Sequence, residues 1–172
     1  EDETPQEEEK KEEQENITRT IQYYIVTVEQ LSVSVNEQKQ QMAGMQQAAN
    51  SAIASGNAQV IQQNYMEMNQ IQVQIEQLLS QVNNMENNLY NVQNTTNNLT
   101  RVDVNNINAS LKTMNRLKVE LNDLHTENRN TIVKIQQVLQ AQEKEENKEC
   151  HYAIGSEEAL LESGVISKGL LG

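Results

Sequence analysis

The chain has 172 residues with one Pro, six Gly, no Trp and no Phe, and its aromatic content is 3 %. A compact core at that length normally draws on Phe and Trp, so the composition points to long helices with thin apolar seams. The formal net charge of −12 disfavours nucleic-acid phosphates and anionic lipid as partners.

In chain order, residues 1–16 read EDETPQEEEKKEEQEN and hold no apolar residue that could anchor a core. Like charges at this density repel and extend the chain, which predicts a disordered acidic tether. Helix one is expected over about 17–54, with Asn16 as its N-cap. Its stripe is Ile17, Ile21, Tyr24, Val28, Leu31 and Val35, with gaps of four and three in alternation. The stripe weakens to Met42, Met45, Ala49 and Ala52, and the small residues there let a neighbouring backbone come close. Tyr23, Ile25, Val26 and Val33 widen the apolar face, which suits a helix packed on two neighbours.

Ser55-Gly56-Asn57 predicts a tight connection between antiparallel helices. Helix two, about 58–100, carries Ile61, Tyr65, Met68 and Ile71. It then carries the cleanest seam of the chain: Ile75, Leu78, Val82, Met85, Leu89, Val92, Thr96 and Leu99. That phase calls for apolar residues at 103 and 106, which are Asp103 and Asn106. The Asn- and Thr-rich run 94–106 favours a break or kink over a continuous rod, with Thr100 or Asp103 as a new cap. Helix three, about 103–148, carries Ile107, Leu111, Met114, Leu117, Leu121, Leu124, Ile132, Ile135 and Leu139. Asn128 falls on its seam, where a buried amide fixes register at a cost in stability.

Residues 149–172 read differently. Cys150 to Gly155 alternates as a short strand, Ser156 is placed to cap a short helix over Ala159 to Ser163, and Val165 and Ile166 begin another strand. Such pieces cannot bury a core, so they are expected to begin a separate, incomplete C-terminal domain. The fold class is therefore all-α: a long antiparallel helical hairpin or coiled-coil bundle with a short α+β fragment at the C-terminus.

The run Cys150-His151-Tyr152-Ala153-Ile154-Gly155-Ser156, with Glu157-Glu158-Ala159-Leu160-Leu161-Glu162-Ser163-Gly164-Val165-Ile166, resembles a segment of coiled-coil lipoproteins of Bacteroidetes. Those proteins carry a (C/A)YYVVGT-KKELKEKGII-like pattern directly after a long coiled coil. The chain departs from it at His151 and Ala153, and in acidic rather than basic residues after Ser156. The resemblance implies a cleaved lipoprotein signal and a lipidated Cys upstream of the present start. It implies an outer-membrane lipoprotein of a Gram-negative cell envelope, surface-exposed where the acidic run acts as an export signal.

Chemistry is sparse. The two histidines, His125 and His151, have no metal-ligand spacing, and no phosphate- or dinucleotide-binding glycine pattern is present. Cys150 is the single cysteine, so it closes no internal disulfide, and its neighbour His151 is badly placed as a base. No apolar stretch reaches the ~18 residues of a membrane span, and no signal peptide is seen. No enzyme and no cofactor is expected. The expected partners are proteins, through self-association or envelope partners, with no nucleic acid and with membrane contact only through the implied lipid anchor. Two functions are indicated: a non-enzymatic envelope coiled coil acting as spacer, scaffold or interaction module, or a prefoldin-like holdase. Met42, Met45, Met66 and Met68 motivate the holdase as an adaptable client surface.

Overall fold

The computed structural model describes the backbone of residues 4–162 and the side chains up to Lys148. Three helices pack together, α1 Pro5–Ser55, α2 Ala58–Thr95 and α3 Arg101–Glu162. No strand occurs among the described residues.

α1 begins eleven residues before the expected cap, so residues 5–16 are helix rather than a tether. The reason is local. Thr4 forms a capping box with Glu7, Pro5 stands at the first helical position, and Glu7 and Glu8 sit in the first turn where the dipole favours negative charge. Glu, Gln and Lys are strong helix formers, so a capped start propagates through the acidic run. Asn16 lies inside α1, where its carbonyl accepts from Thr20 Oγ1 at 2.9 Å.

α1 ends at Gly56, whose φ of 66° is the left-handed C-cap conformation, with its N–H on the Ile53 carbonyl at 3.2 Å. Asn57 then caps α2, its Oδ1 accepting from Gln59 N at 3.0 Å and Val60 N at 3.4 Å. The two helices lie antiparallel across this two-residue connection. α2 stops at Thr95, and the chain turns through Asn98, the one non-glycine residue at positive φ among those described. Thr100 caps α3: Asp103 N donates to its Oγ1 at 3.0 Å, and Asp103 Oδ2 accepts from Thr100 N at 3.2 Å. Helices two and three are therefore separate.

Cross-helix bonds set the directions. Between α2 and α3 the pairs are Gln93–Asn108, Glu86–Lys118, Met68–Asn128 and Tyr65–Gln136, and Gly56, just before α2, pairs with Gln142. One number falls as the other rises, so the helices are antiparallel. Between α1 and α3, Gln14–Asp103 and Lys39–Glu120 rise together, so these helices are parallel. The result is an up-down-up bundle in which the three seams meet within one chain. α3 is helical through Glu162, including Cys150–Gly155 where a strand is expected. The remainder of the expected α+β fragment, residues 163–172, lies outside the described residues.

A Cβ built at Gly56 meets nothing within 4 Å, so its only penalty is the left-handed backbone. Gly56→Ala is expected to lower stability by about 1–2 kcal/mol in urea denaturation with the slope unchanged. Unchanged stability would mean that the turn relaxes out of the left-handed region.

Candidate functional site

No group of three or more His, Cys, Asp or Glu side chains is placed to hold a metal among the described residues. No helix of the described residues is long and apolar enough to cross a membrane. The side chains of Cys150 and His151 lie outside the described residues. The bundle offers its core, a polar layer across that core, and its outer faces.

The structure brings the expected seam residues together. Ile21, Val28, Leu31, Val35, Ile75, Val82, Leu89, Ile107, Leu111, Met114 and Leu121 form one buried cluster. Ile17, Tyr24, Leu78, Met85, Val92 and Leu99 are half-buried against it. Ile132 and Ile135 belong to a second, smaller cluster near the α1–α2 turn, with Ala49, Ala52, Ile61 and Met68. Of the widened α1 face only Ile25 packs on the core, while Tyr23 is 64 %, Val26 42 % and Val33 57 % exposed. The methionines do not form one surface. Met42 and Met68 are buried, Met45 is half-buried, and Met66 stands out at 53 % exposure.

Among the described residues five polar ones are buried: Gln38, Asn64, Asp103, Ser110 and Asn128. Asn128 is the one anticipated by pattern. Its Nδ2 donates to the Met68 carbonyl at 3.0 Å and to Gln72 Oε1 at 2.7 Å. Gln72 Nε2 lies 2.7 Å from His125 Nε2, which is also 3.2 Å from Glu76 Oε1. A single ring nitrogen cannot accept from Gln72 and donate to Glu76 at once, so the proton on Nε2 selects which of the two contacts is a hydrogen bond. The carbonyl of Met68 can only accept, which fixes the Asn128 amide with Nδ2 toward it and leaves Oδ1 without a partner. Asn64 Oδ1 and Gln38 Nε2 are likewise buried and unpartnered. An orphaned buried polar atom costs on the order of 1–3 kcal/mol, so these positions are not chosen for stability alone.

Gln38 and Asn64 were legible. Extending the α2 seam backward from Ile75 in steps of four and three gives Ile71, Met68, Asn64 and Ile61. The neighbouring Tyr65 is apolar and draws attention from Asn64, but Tyr65 is a flank whose hydroxyl accepts from Gln136 Nε2 at 3.0 Å. Gln38 fills the gap between Val35 and Met42 in the same way. Asp103 is no slip in a continuous coil. It is a capping residue, buried because it also accepts from Gln14 Nε2 at 3.2 Å.

Charge is unevenly placed. From residue 40 to residue 66, which spans the α1–α2 turn, no Asp, Glu, Lys or Arg occurs. The interhelical ion pairs lie farther down the bundle, Lys39–Glu120 at 3.1 Å and Lys118–Glu86 at 2.8 Å. Burial pushes the Glu120 carboxyl up, but hydrogen bonds and charges from Lys39 and Arg116 outweigh that and hold it below its ordinary value. Comparison with protein-family models, with curated proteins and with solved structures returns no match.

A carboxyl lowered in the folded state stabilises the fold above its ordinary pKa and loses that contribution as pH falls through the lowered value. Glu120→Gln is expected to cost less than about 1 kcal/mol at neutral pH, because Lys39 is well exposed. The difference from wild type should vanish well below the ordinary value of 4.5. Urea titrations at both pH values measure it, and a deficit that persists in acid would assign the effect to packing instead.

Proposed function

We propose that this protein is a non-enzymatic coiled-coil spacer of the cell envelope, holding the chain before α1 away from the chain beyond α3. The observation that carries the reading is the parallel course of α1 and α3. An up-down-up bundle takes the chain in at one end and releases it at the other, whereas a two-helix hairpin returns it to the same end. From Glu8 to Lys148 the path along the axis is about 80 Å at 1.5 Å per residue. Capping both ends of α1 and locking it to α3 by Lys39–Glu120 favours a stiff element.

The C-terminal resemblance to Bacteroidetes lipoproteins supports the envelope location and a lipid anchor upstream of the helix. On this reading the acidic run is a rigid extension of α1 that keeps the bundle clear of the membrane surface. The chain after the bundle would start the next domain. Its partners would be proteins of the envelope. Burial of Met42 and Met68 removes much of the surface that motivates a prefoldin-like holdase, so the spacer reading is preferred.

Two measurements test it. The precursor, expressed with labelled palmitate, is expected in the envelope fraction and lipid-labelled; unlabelled protein in the cytosol would overturn the location. With Cys150 replaced by Ser, fluorophores at Glu8→Cys and Lys148→Cys are expected to report a separation of about 80 Å. A separation under about 50 Å would mean that the chain returns on itself, and the spacer reading would fail.

A further inference from the structure

We propose that the bundle opens at its α1–α2 turn end as a unit of its own. The part of α3 beyond Asn128 detaches from the α1–α2 hairpin while the rest of the bundle stays packed. Five features meet at this level.

The buried apolar residues fall into two clusters rather than one. The larger runs along the body of the bundle, and the smaller holds Ala49, Ala52, Ile61, Met68, Ile132 and Ile135. Half-buried Met45 touches both. At the boundary stands Asn128, buried and with Oδ1 unpartnered, and Asn64, inside the smaller cluster between Ile61 and Met68, is likewise buried with Oδ1 unpartnered, so the joint and the cluster beyond it both carry a desolvation cost.

The smaller cluster is also thin. Its α1 members are alanines, which bury little area and offer few dispersion contacts. The interhelical ion pairs Lys39–Glu120 and Lys118–Glu86 lie in the body. The turn end is held instead by neutral, exposed hydrogen bonds, Gln136 to Tyr65 and Gln142 to Gly56. Finally, α3 carries poor helix formers at the same height. In Thr126-Glu127-Asn128-Arg129-Asn130-Thr131, four of six residues are Asn or Thr. That run is the hinge. Closed, it seals Ile61, Met68, Ile132 and Ile135; open, it bares them at one end of the spacer.

Hydrogen exchange read by mass spectrometry on the full chain tests this. Peptides covering 49–68 and 132–142 are expected to exchange at least about tenfold faster than those covering 71–89 and 107–124. Simple fraying of bundle ends is separated by the opposite end, residues 90–95 and 104–106, which is expected to stay closer to the body in protection than the turn end does. Met68→Ala is expected to speed exchange at the turn end and leave the body unchanged. Asn128→Leu, which joins the two clusters, is expected to bring the turn end to within about threefold of the body. Equal protection in wild type, equal acceleration of both regions by Met68→Ala, or an undiminished gap in Asn128→Leu would each overturn the proposal.

Discussion

None of the three helices can bury its own stripe, and the rest of the structure depends on that. A seam with apolar residues every three or four positions is too narrow to wrap a core and too apolar to leave in water. The chain could have met the demand with other copies of itself, as an uninterrupted rod. It meets it internally because two short connections reverse its direction at the right places. Gly56 supplies a left-handed residue, Asn57 caps the second helix, and the Thr100–Asp103 box starts the third after Asn98 turns the chain. Each device satisfies backbone groups that a helix end leaves open, so the breaks are stable features rather than defects.

The seams and both breaks were legible in the sequence, since spacing and turn chemistry are local. The start of α1 was not. Reading Glu1 to Asn16 by charge alone predicts an extended tether, but the capping box at Thr4 and Glu7 needs no apolar partner, and Glu-rich sequence continues a helix once it is nucleated. Charge density and helix propensity pull in opposite directions there, and propensity wins because water screens the repulsion while capping and hydrogen bonds are local. The buried polar set was half legible. Asn128 was found because its neighbours on the seam are strongly apolar. Asn64 is obscured because apolar Tyr65 one step away invites a small shift of phase, and Gln38 because it stands in a polar run between Glu37 and Lys39. At the α2–α3 connection the mismatch at Asp103 correctly signalled a change, yet burial of that carboxylate depends on Gln14, eighty-nine positions away, which no local pattern reveals.

Polar residues on the seam have a common effect. Leucine or isoleucine at Asn64 and Asn128 would give a more stable bundle but one with several registers of similar energy. An amide that bonds a particular carbonyl, as Asn128 does with Met68, is satisfied in one alignment of α2 and α3 only. The single expected register therefore comes at the cost of a weak layer. Where that layer falls decides how the bundle yields under stress, because the cluster beyond it is small, has alanines as its buried α1 members and is tied across by neutral bonds rather than ion pairs.

The proposed spacer role does not require the bundle to be uniformly rigid. The body, with its large buried side chains and the Lys39–Glu120 and Lys118–Glu86 pairs, sets the length. The turn end is where α3 leaves the bundle, so it is also where any pull from a C-terminal neighbour is first felt. A force along α3 acts on the helix at its hinge of Asn and Thr before it reaches Leu124, and the separation of the two clusters keeps that disturbance from spreading into the body. On this view the polar layer does two things at once: it fixes how the helices align, and it limits how far the bundle opens when its exit end is strained.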